Sequence, residues 1–251
     1  MKSILLTNDD GIDAEGLKYL RDELRRIAHV LTVAPDQERS AVSHGLTIHT
    51  RVKLADAGTD SFSLSGTPAD CIIYALDKLF MKPPDLVISG INRGANLGDD
   101  IMYSGTVAAA REAARYGIPS IAVSQAFEDG KKIRFKEGSE FLRDMVKAMF
   151  CNSLNGEFLL NINFPIGKIK GIKITRQGFS EHSGHFNSQD FEETLPILNH
   201  FNSIKNEIST DILAVLNGYV SVTPLQRDQT DHIATRFLTK FAGQLFGKHL
   251  E

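Results

Sequence analysis

The chain contains no tryptophan and only two cysteines, Cys71 and Cys151, among its 251 residues. Two thiols so far apart, with no paired spacing, exclude a disulfide framework and read as buried or incidental groups of a reducing compartment. No apolar run approaches the length of a membrane span. The opening Met1-Lys2-Ser3-Ile4 lacks the apolar region and cleavage site of a signal peptide, so a cytoplasmic protein without a membrane partner is expected. An excess of either charge is also missing. The formal net charge is -3, which forecasts no attraction to a nucleic-acid polymer or an anionic membrane surface. Internal repeats and low-complexity tracts are absent. What remains, 42% hydrophobic and 24% charged residues, is the composition of a globular protein, long enough for one large α/β domain with or without an appendage.

The stretch that organises the chain is Leu5-Leu6-Thr7-Asn8-Asp9-Asp10-Gly11. A short apolar run ends in two adjacent carboxylates and a glycine, and Leu17, Leu20, Leu24 and Ile27 then recur at helical spacing. The pattern is strand, acidic turn, helix. A second strand is predicted at His29–Ala34, followed by a polar loop from Gln37 to His44. Short strands are predicted around Thr47–Leu54 and Ser61–Ser65, with a turn at Asp56-Ala57-Gly58. Thr67, Pro68 and Asp70 mark a capped helix start, and Cys71 belongs to that helix as packing. Asp85–Ser89 reads as a compact strand. After it comes a glycine-rich loop, and a small-residue helix begins at Val107. A strand at Ser120–Ser124 and a helix from about Ser139 to Phe150 continue the alternation, which argues for a parallel sheet covered on both faces.

Beyond Cys151 the rhythm changes. Strands are predicted at Phe158–Pro165, Gly171–Arg176 and Tyr219–Pro224, and a last helix from about Asp231 to Phe246. Residues 177 to 209 are polar and weakly patterned, and read as a hairpin or extended arm. The expected division is a catalytic core over 1–150, then sheet completion and an oligomerisation arm and helix over 151–251. Arms that cannot bury their own apolar residues pack on another subunit, so an oligomer is expected.

In a parallel sheet the loops after the strands converge on one rim. Those loops supply Asp9 and Asp10, Ser40 and Asn92: two carboxylates, a hydroxyl and an amide oxygen. Adjacent carboxylates repel, and a cation between them relieves that. Hard oxygen donors suit Mg²⁺, Mn²⁺ or Ca²⁺ better than zinc. Ser40 and Asn92, taken singly, are ordinary turn residues, and acids at a helix start also suit its dipole. A second feature is Gly90 to Thr106, with four glycines and two asparagines. It ends in Ser104-Gly105-Thr106 at a helix N-terminus, a place that receives phosphate. The Gly-Lys-Ser/Thr ending of a Walker loop is absent. Metal carboxylates beside an anion cradle point to hydrolysis of a phosphate ester.

Several motifs occur together and in order. They are Thr7-Asn8-Asp9-Asp10-Gly11, Ala34-Pro35-Asp36 with Arg39-Ser40, Gly66-Thr67-Pro68-Ala69-Asp70-Cys71, Ser89-Gly90-Ile91-Asn92, Asn96-Leu97-Gly98-Asp99-Asp100 and Tyr103-Ser104-Gly105-Thr106-Val107-Ala108-Ala109. Thr210-Asp211 and Gly218-Tyr219-Val220-Ser221-Val222-Thr223-Pro224-Leu225 follow. Together these resemble the SurE family of stationary-phase survival proteins, metal-dependent 5'-(3'-)nucleotidases. The resemblance implies a Rossmann-like three-layer sheet whose C-terminal hairpin arm and helix are exchanged in a homodimer or homotetramer. It implies one divalent cation, Mg²⁺ or Mn²⁺, at Asp9, Asp10, Ser40 and Asn92, with catalysis resting on Asp9 and Asp10. The phosphate would be received around Asn96, Ser104, Gly105 and Thr106. The implied substrates are nucleoside 5'- and 3'-monophosphates and short polyphosphate. The Gln177–His185 stretch departs from the family's more basic, tyrosine-containing arm, and His44 has no position in the family pattern.

No general base stands out: Asp9 or Asp10 could serve, and His44 could reach the site, though a lone loop histidine reads first as a surface residue. His182 and His185 have metal-like spacing but no third ligand, which favours a loop. A receiver module would need an aspartate where this chain has Ser89-Gly90-Ile91-Asn92. A haloacid-dehalogenase-type phosphatase would need its two aspartates separated by one residue on the first strand, and here they are adjacent. A nucleotide- or metal-binding regulator without turnover would use the same ligands.

Overall fold

The computed structural model describes residues 1–152, 156–179 and 210–246. The hairpin or arm expected over 177–209, with His182 and His185, falls almost wholly outside the described residues.

One nine-stranded sheet runs through the molecule, in the order β3-β4-β2-β1-β5-β6-β7-β9-β8. Its strands are β1 (Ser3–Thr7), β2 (His29–Pro35), β3 (Leu54–Asp56), β4 (Ser61–Leu64), β5 (Leu86–Arg93), β6 (Ser120–Gln125), β7 (Leu159–Phe164), β8 (Ile172–Ile174) and β9 (Val220–Leu225). The α/β architecture is the one the alternation predicts, and the central strands β4-β2-β1-β5-β6-β7 are parallel. Towards the edges the sheet becomes mixed, because β3 pairs antiparallel with β4 and β9 antiparallel with β7. The first is a hairpin closed at Asp56-Ala57-Gly58, where Gly58 N–H donates to the Asp56 carboxylate at 2.7 Å.

Helices α1 (Glu15–Leu24) and α4 (Phe135–Cys151) cover one face, and α2 (Pro68–Tyr74) and α3 (Gly105–Arg115) the other. Strand side chains alternate between faces. Ile4 and Leu6 accordingly meet Leu17, Leu20, Leu24 and Leu142, while Leu5 meets Ile72, Ala109 and Ala113. Small residues on α3 let it lie close to the sheet: Ala109, Ala110 and Ala113 have no exposed surface. Cys71 packs in this second layer, and burial pushes its thiol up, out of reactive range.

The capped start of α2 forms as read. Thr67 Oγ1 accepts from Asp70 N–H at 3.1 Å, and the Asp70 carboxylate accepts from Thr67 N–H at 2.8 Å, the reciprocal capping box. No strand runs over 47–53, and Asp70 holds the start of that segment. It takes both the Thr47 N–H, at 3.1 Å, and the Thr47 hydroxyl, at 2.5 Å, so a side chain holds the backbone there in place of a ladder. Strand β5 is longer than the Asp85–Ser89 reading. It continues through Gly90 to Arg93 after an irregularity between Ser89 and Asn92. Gly90 makes this possible: at φ +137° its backbone approaches β6 so closely that a Cβ would lie 2.3 Å from the Val123 carbonyl oxygen. Helix α4 starts near Phe135, a turn earlier than its apolar pattern implied, and a short α5 (Asp211–Leu216) was not expected. A last helix, α6 (His232–Phe246), exposes Ile233, Phe237, Leu238 and Phe241.

The chain goes from β1 outward to β2 and β4 on one side, then returns to β5 on the other. The crevice outside the carboxyl ends of β1 and β5 is therefore the topological switch point, where open α/β sheets bind ligands.

Candidate active site

Asp9 and Asp10 follow β1 directly and enter that crevice. Asp9 is 5% exposed. Its carboxylate accepts the Thr106 hydroxyl and, at 3.1 Å, the Thr106 N–H. Glycine at position 105 is required by this approach, because a Cβ there would lie 2.9 Å from Asp9 Oδ2. Burial, and then the neighbouring Asp10 charge, push the Asp9 carboxyl up to about 7 despite the Thr106 bonds. Asp10 is less enclosed. Burial raises it too, opposed by the Arg93 N–H, which donates to Asp10 Oδ2 at 3.0 Å.

Ser40 and Asn92 are brought to the pair by their neighbours in the chain. Arg39 N–H donates to the Asp9 carbonyl at 2.7 Å and fixes the loop that carries Ser40. The Arg93 bond to Asp10 does the same for Asn92. Asn92 Nδ2 donates to the Gly94 carbonyl at 2.9 Å, which leaves the amide oxygen as the acceptor atom of that side chain. Ser40 is exposed, and its hydroxyl donates to Glu38 at 2.6 Å. Glu38 is a carboxylate the sequence reading passed over, and it is near enough to Asp10 to help raise it.

The expected phosphate cradle divides into two parts. Ser104 caps α3, its hydroxyl oxygen accepting from Val107 N–H at 3.0 Å, so the hydroxyl proton remains to donate. Thr106 spends both of its donors on Asp9. Asn96 is buried: its Nδ2 donates to Ser124 at 2.7 Å, its N–H donates to Asn163 Oδ1 at 2.8 Å, and its carbonyl accepts from Asn161 and Asn163. It pins the glycine-rich loop to the rim of β6 and β7.

A divalent cation fits this donor set. The two carboxylates repel and are driven toward protonation, a state a cation reverses. Asn8, next to them, holds a buried amide oxygen with no hydrogen-bond partner, and the flanking Ser40 and Asn92 oxygens are hard and neutral. Among the described residues no group of three or more His, Cys, Asp or Glu gathers as a metal site.

The comparisons with known proteins bear on this crevice. The family model described as survival protein SurE matches residues 4–184. The 5'-nucleotidase SurE of Clostridium botulinum strain 657 is 41% identical over 238 residues, 91% of this chain and 94% of that protein. The protein of the same name from Pelotomaculum thermopropionicum is 42% identical over 238 residues, 91% of each chain. The chain belongs to the SurE family. A crystal structure of the SurE protein from Aquifex aeolicus matches with a TM-score of 0.84 at 39% identity, covering 95% of this chain and 99% of that one.

In this SurE-family chain the buried carboxylate partner of His44 escaped the sequence reading. His44 Nε2 lies 2.8 Å from Glu112 Oε2, on a carboxylate with no exposed surface that also takes Arg115 Nη1 at 2.6 Å. Glu112 engages His44 six residues beyond Thr106, the α3 residue that holds Asp9. Asp211, quoted above only as part of a motif, is wholly buried and accepts from Gly98 and Gly178 N–H at 3.0 and 2.8 Å. It ties the glycine-rich loop to α5. The only sequence signal for the buried amide cluster was Asn161-Ile162-Asn163, polar residues alternating within an apolar strand.

Proposed function

We propose that this protein is a divalent-cation-dependent 5'-nucleotidase, hydrolysing nucleoside 5'-monophosphates to nucleoside and phosphate. The observation that carries the reading is the adjacent Asp9-Asp10 pair at the switch point, with Asp9 buried against the first turn of α3. The name 5'-nucleotidase carried by the Clostridium and Pelotomaculum relatives supports it. Asp9, Asp10, Ser40 and Asn92 hold one Mg²⁺ or Mn²⁺. When bound, the cation polarises a phosphoryl oxygen and acidifies a water. Asp10, the more open carboxylate, accepts the proton of the attacking water. Thr106 keeps Asp9 oriented, and Arg93 N–H keeps Asp10 oriented. The Ser104 hydroxyl and the Gly105 N–H donate to the equatorial phosphoryl oxygens as charge builds there, while Thr106 steadies Asp9 and Asn96 anchors the glycine-rich loop that leads into the cradle.

The finer reading extends to nucleoside 3'-monophosphates and short polyphosphate, and to a homodimer or homotetramer assembled through residues 151–251. The exposed apolar side chains of α6 support self-association. No described helix is long and apolar enough to cross a membrane, which accords with a cytoplasmic enzyme acting on small phosphates.

The test is phosphate release from nucleoside 5'- and 3'-monophosphates and short polyphosphate, in EDTA and with Mg²⁺, Mn²⁺ or Ca²⁺ restored. Turnover lost in EDTA and regained with Mg²⁺ or Mn²⁺ is expected. Turnover indifferent to chelator, or no release from any nucleotide, would overturn the assignment.

A further inference from the structure

Helix α3 contributes to a second cleft, of about 570 Å³, lined by His44, Arg111, Arg115, Arg227 and Asp228. None of these side chains belongs to the carboxylate crevice. The volume falls within the range of small-molecule sites. Its lining is unusual in carrying three guanidinium groups from two parts of the chain, α3 and the segment just after β9.

The anionic groups within reach are already satisfied. Glu112, beneath the cleft, is held by His44 at 2.8 Å and by Arg115 at 2.6 Å. Asp228 faces His232 at 2.9 Å and accepts the Thr230 N–H, also at 2.9 Å. Among the described residues Arg227 has only a long contact to Glu157, at 3.7 Å between two exposed side chains. Arg111 is left over. Its Nε is buried without a hydrogen-bond partner among the described residues. Burial alone, with no countercharge, pulls its ionisation down. A half-buried cation whose Nε–H makes no hydrogen bond carries a cost, and an anion in the cleft lowers it.

We infer that this cleft binds an anion carrying two or more linked phosphoryl groups, at a site separate from the Asp9-Asp10 pair. Guanidinium groups match phosphate oxygens in a two-pronged geometry. Arg111 and Arg115 stand one helical turn apart, about 6 Å between their Cβ atoms by ideal helix geometry, a spacing that engages two adjacent phosphoryl groups. Arg227 supplies a third positive charge from the facing segment. A single phosphate would leave part of this array unmatched. Free diphosphate and the phosphate tail of a nucleoside diphosphate share the chemistry recognised here.

The proposal is tested by calorimetric titration of the full chain in EDTA with two non-hydrolysable probes, methylenediphosphonate and the α,β-methylene analogue of ADP. Saturable binding of one probe per chain is expected, weakened at least tenfold in Arg111→Gln and in Arg227→Gln and retained in Asp9→Asn. Circular dichroism confirms that each variant is folded, and Arg227, partly exposed, provides a change that leaves the interior untouched. Tighter binding of the nucleoside analogue would assign the source as a nucleotide, and equal binding of the two as free diphosphate. Absence of saturable binding, affinities unchanged by both arginine variants, or binding lost in Asp9→Asn would overturn it. The last result would place the anion at the carboxylate pair.

Discussion

Replacing Asp9 by Asn separates what this residue does for the reaction from what it costs the fold. The cation-free carboxyl titrates near 7 instead of its ordinary 3.8, which corresponds to about 4 kcal/mol of disfavoured ionisation at 1.36 kcal/mol per pH unit. The sign follows from linkage. A carboxyl whose folded value lies above its unfolded value binds more protons in the folded state between those values. Stability is therefore greatest below about 4, falls as pH rises to about 7, and is level above that. Asparagine carries no charge and fits the same partners. Its oxygen can take the Thr106 N–H, and its Nδ2 can donate to the Thr106 hydroxyl oxygen once that rotor turns. In EDTA at pH 8 the variant should therefore be more stable than the parent by about 2–4 kcal/mol, which for a chain of this size raises Tm by about 4–15 °C. At pH 4 the advantage should vanish, and hydrolysis should be lost throughout. Adding Mn²⁺ should raise the melting temperature of the parent and leave the variant unmoved. Denaturant titrations at pH 4 and pH 8 provide the check. An Asn variant that is equally or less stable at pH 8 would refute the claim that the Asp9 charge is strained in its pocket.

Three further outcomes follow from named contacts. Thr106→Val removes the hydroxyl that Asp9 accepts, and turnover should fall by about tenfold or more, with Thr106→Ser retaining most of it, as when other preorganised donors are removed; steady-state kinetics of the pair decides. Glu112→Gln removes the charge that His44 and Arg115 face and should cost about 1 kcal/mol at neutral pH, because both of those partners are part-exposed and screened by solvent. Those partners hold Glu112 below its ordinary value, although burial opposes them. Its stabilisation is therefore complete above about 4.5 and lost as pH falls through the lower folded value, so the gap between parent and variant should close in acid denaturation profiles. Charge on α6, as Phe237→Asp with Phe241→Asp, should lower the sedimenting mass if that face is an interface, and an unchanged mass would remove α6 from the assembly.

Legibility in the sequence followed the range of the interactions involved. The strand and helix rhythm from Ile4 to Phe150 was readable because both periodicities record burial against a sheet, residue by residue. The capping box at Thr67 and Asp70 was readable because all its atoms lie within one turn. Strand β5 was cut short at Ser89 because Gly90 looks like a loop residue, and its reason for being glycine is the Val123 carbonyl, 33 positions away. The same limit hid Glu112 and Asp211. Each is a buried carboxylate with a partner from a distant segment, His44 for Glu112 and Gly98 for Asp211, so neither shows in a local pattern. At the crevice the residue types of Asp9, Asp10, Ser40 and Asn92 could be chosen by their placement at strand ends. That Thr106 holds Asp9 and that Asn96 faces Ser124 and Asn163 depended on side-chain geometry that spacing does not encode.

The contact between Asp9 and Thr106 joins positions 97 residues apart, and this has a consequence for how the chain is made. Strand β1 emerges from the ribosome before the strands it pairs with, and can pair with β2 almost at once. Its other edge must wait for β5, which is more than 50 residues later in the chain. Until then it presents the unpaired backbone groups by which nascent chains stick to one another. The crevice is complete only after α3 has docked, so regain of hydrolysis in refolding reports closure of the long-range centre of the sheet, one of the slow events that high contact order imposes.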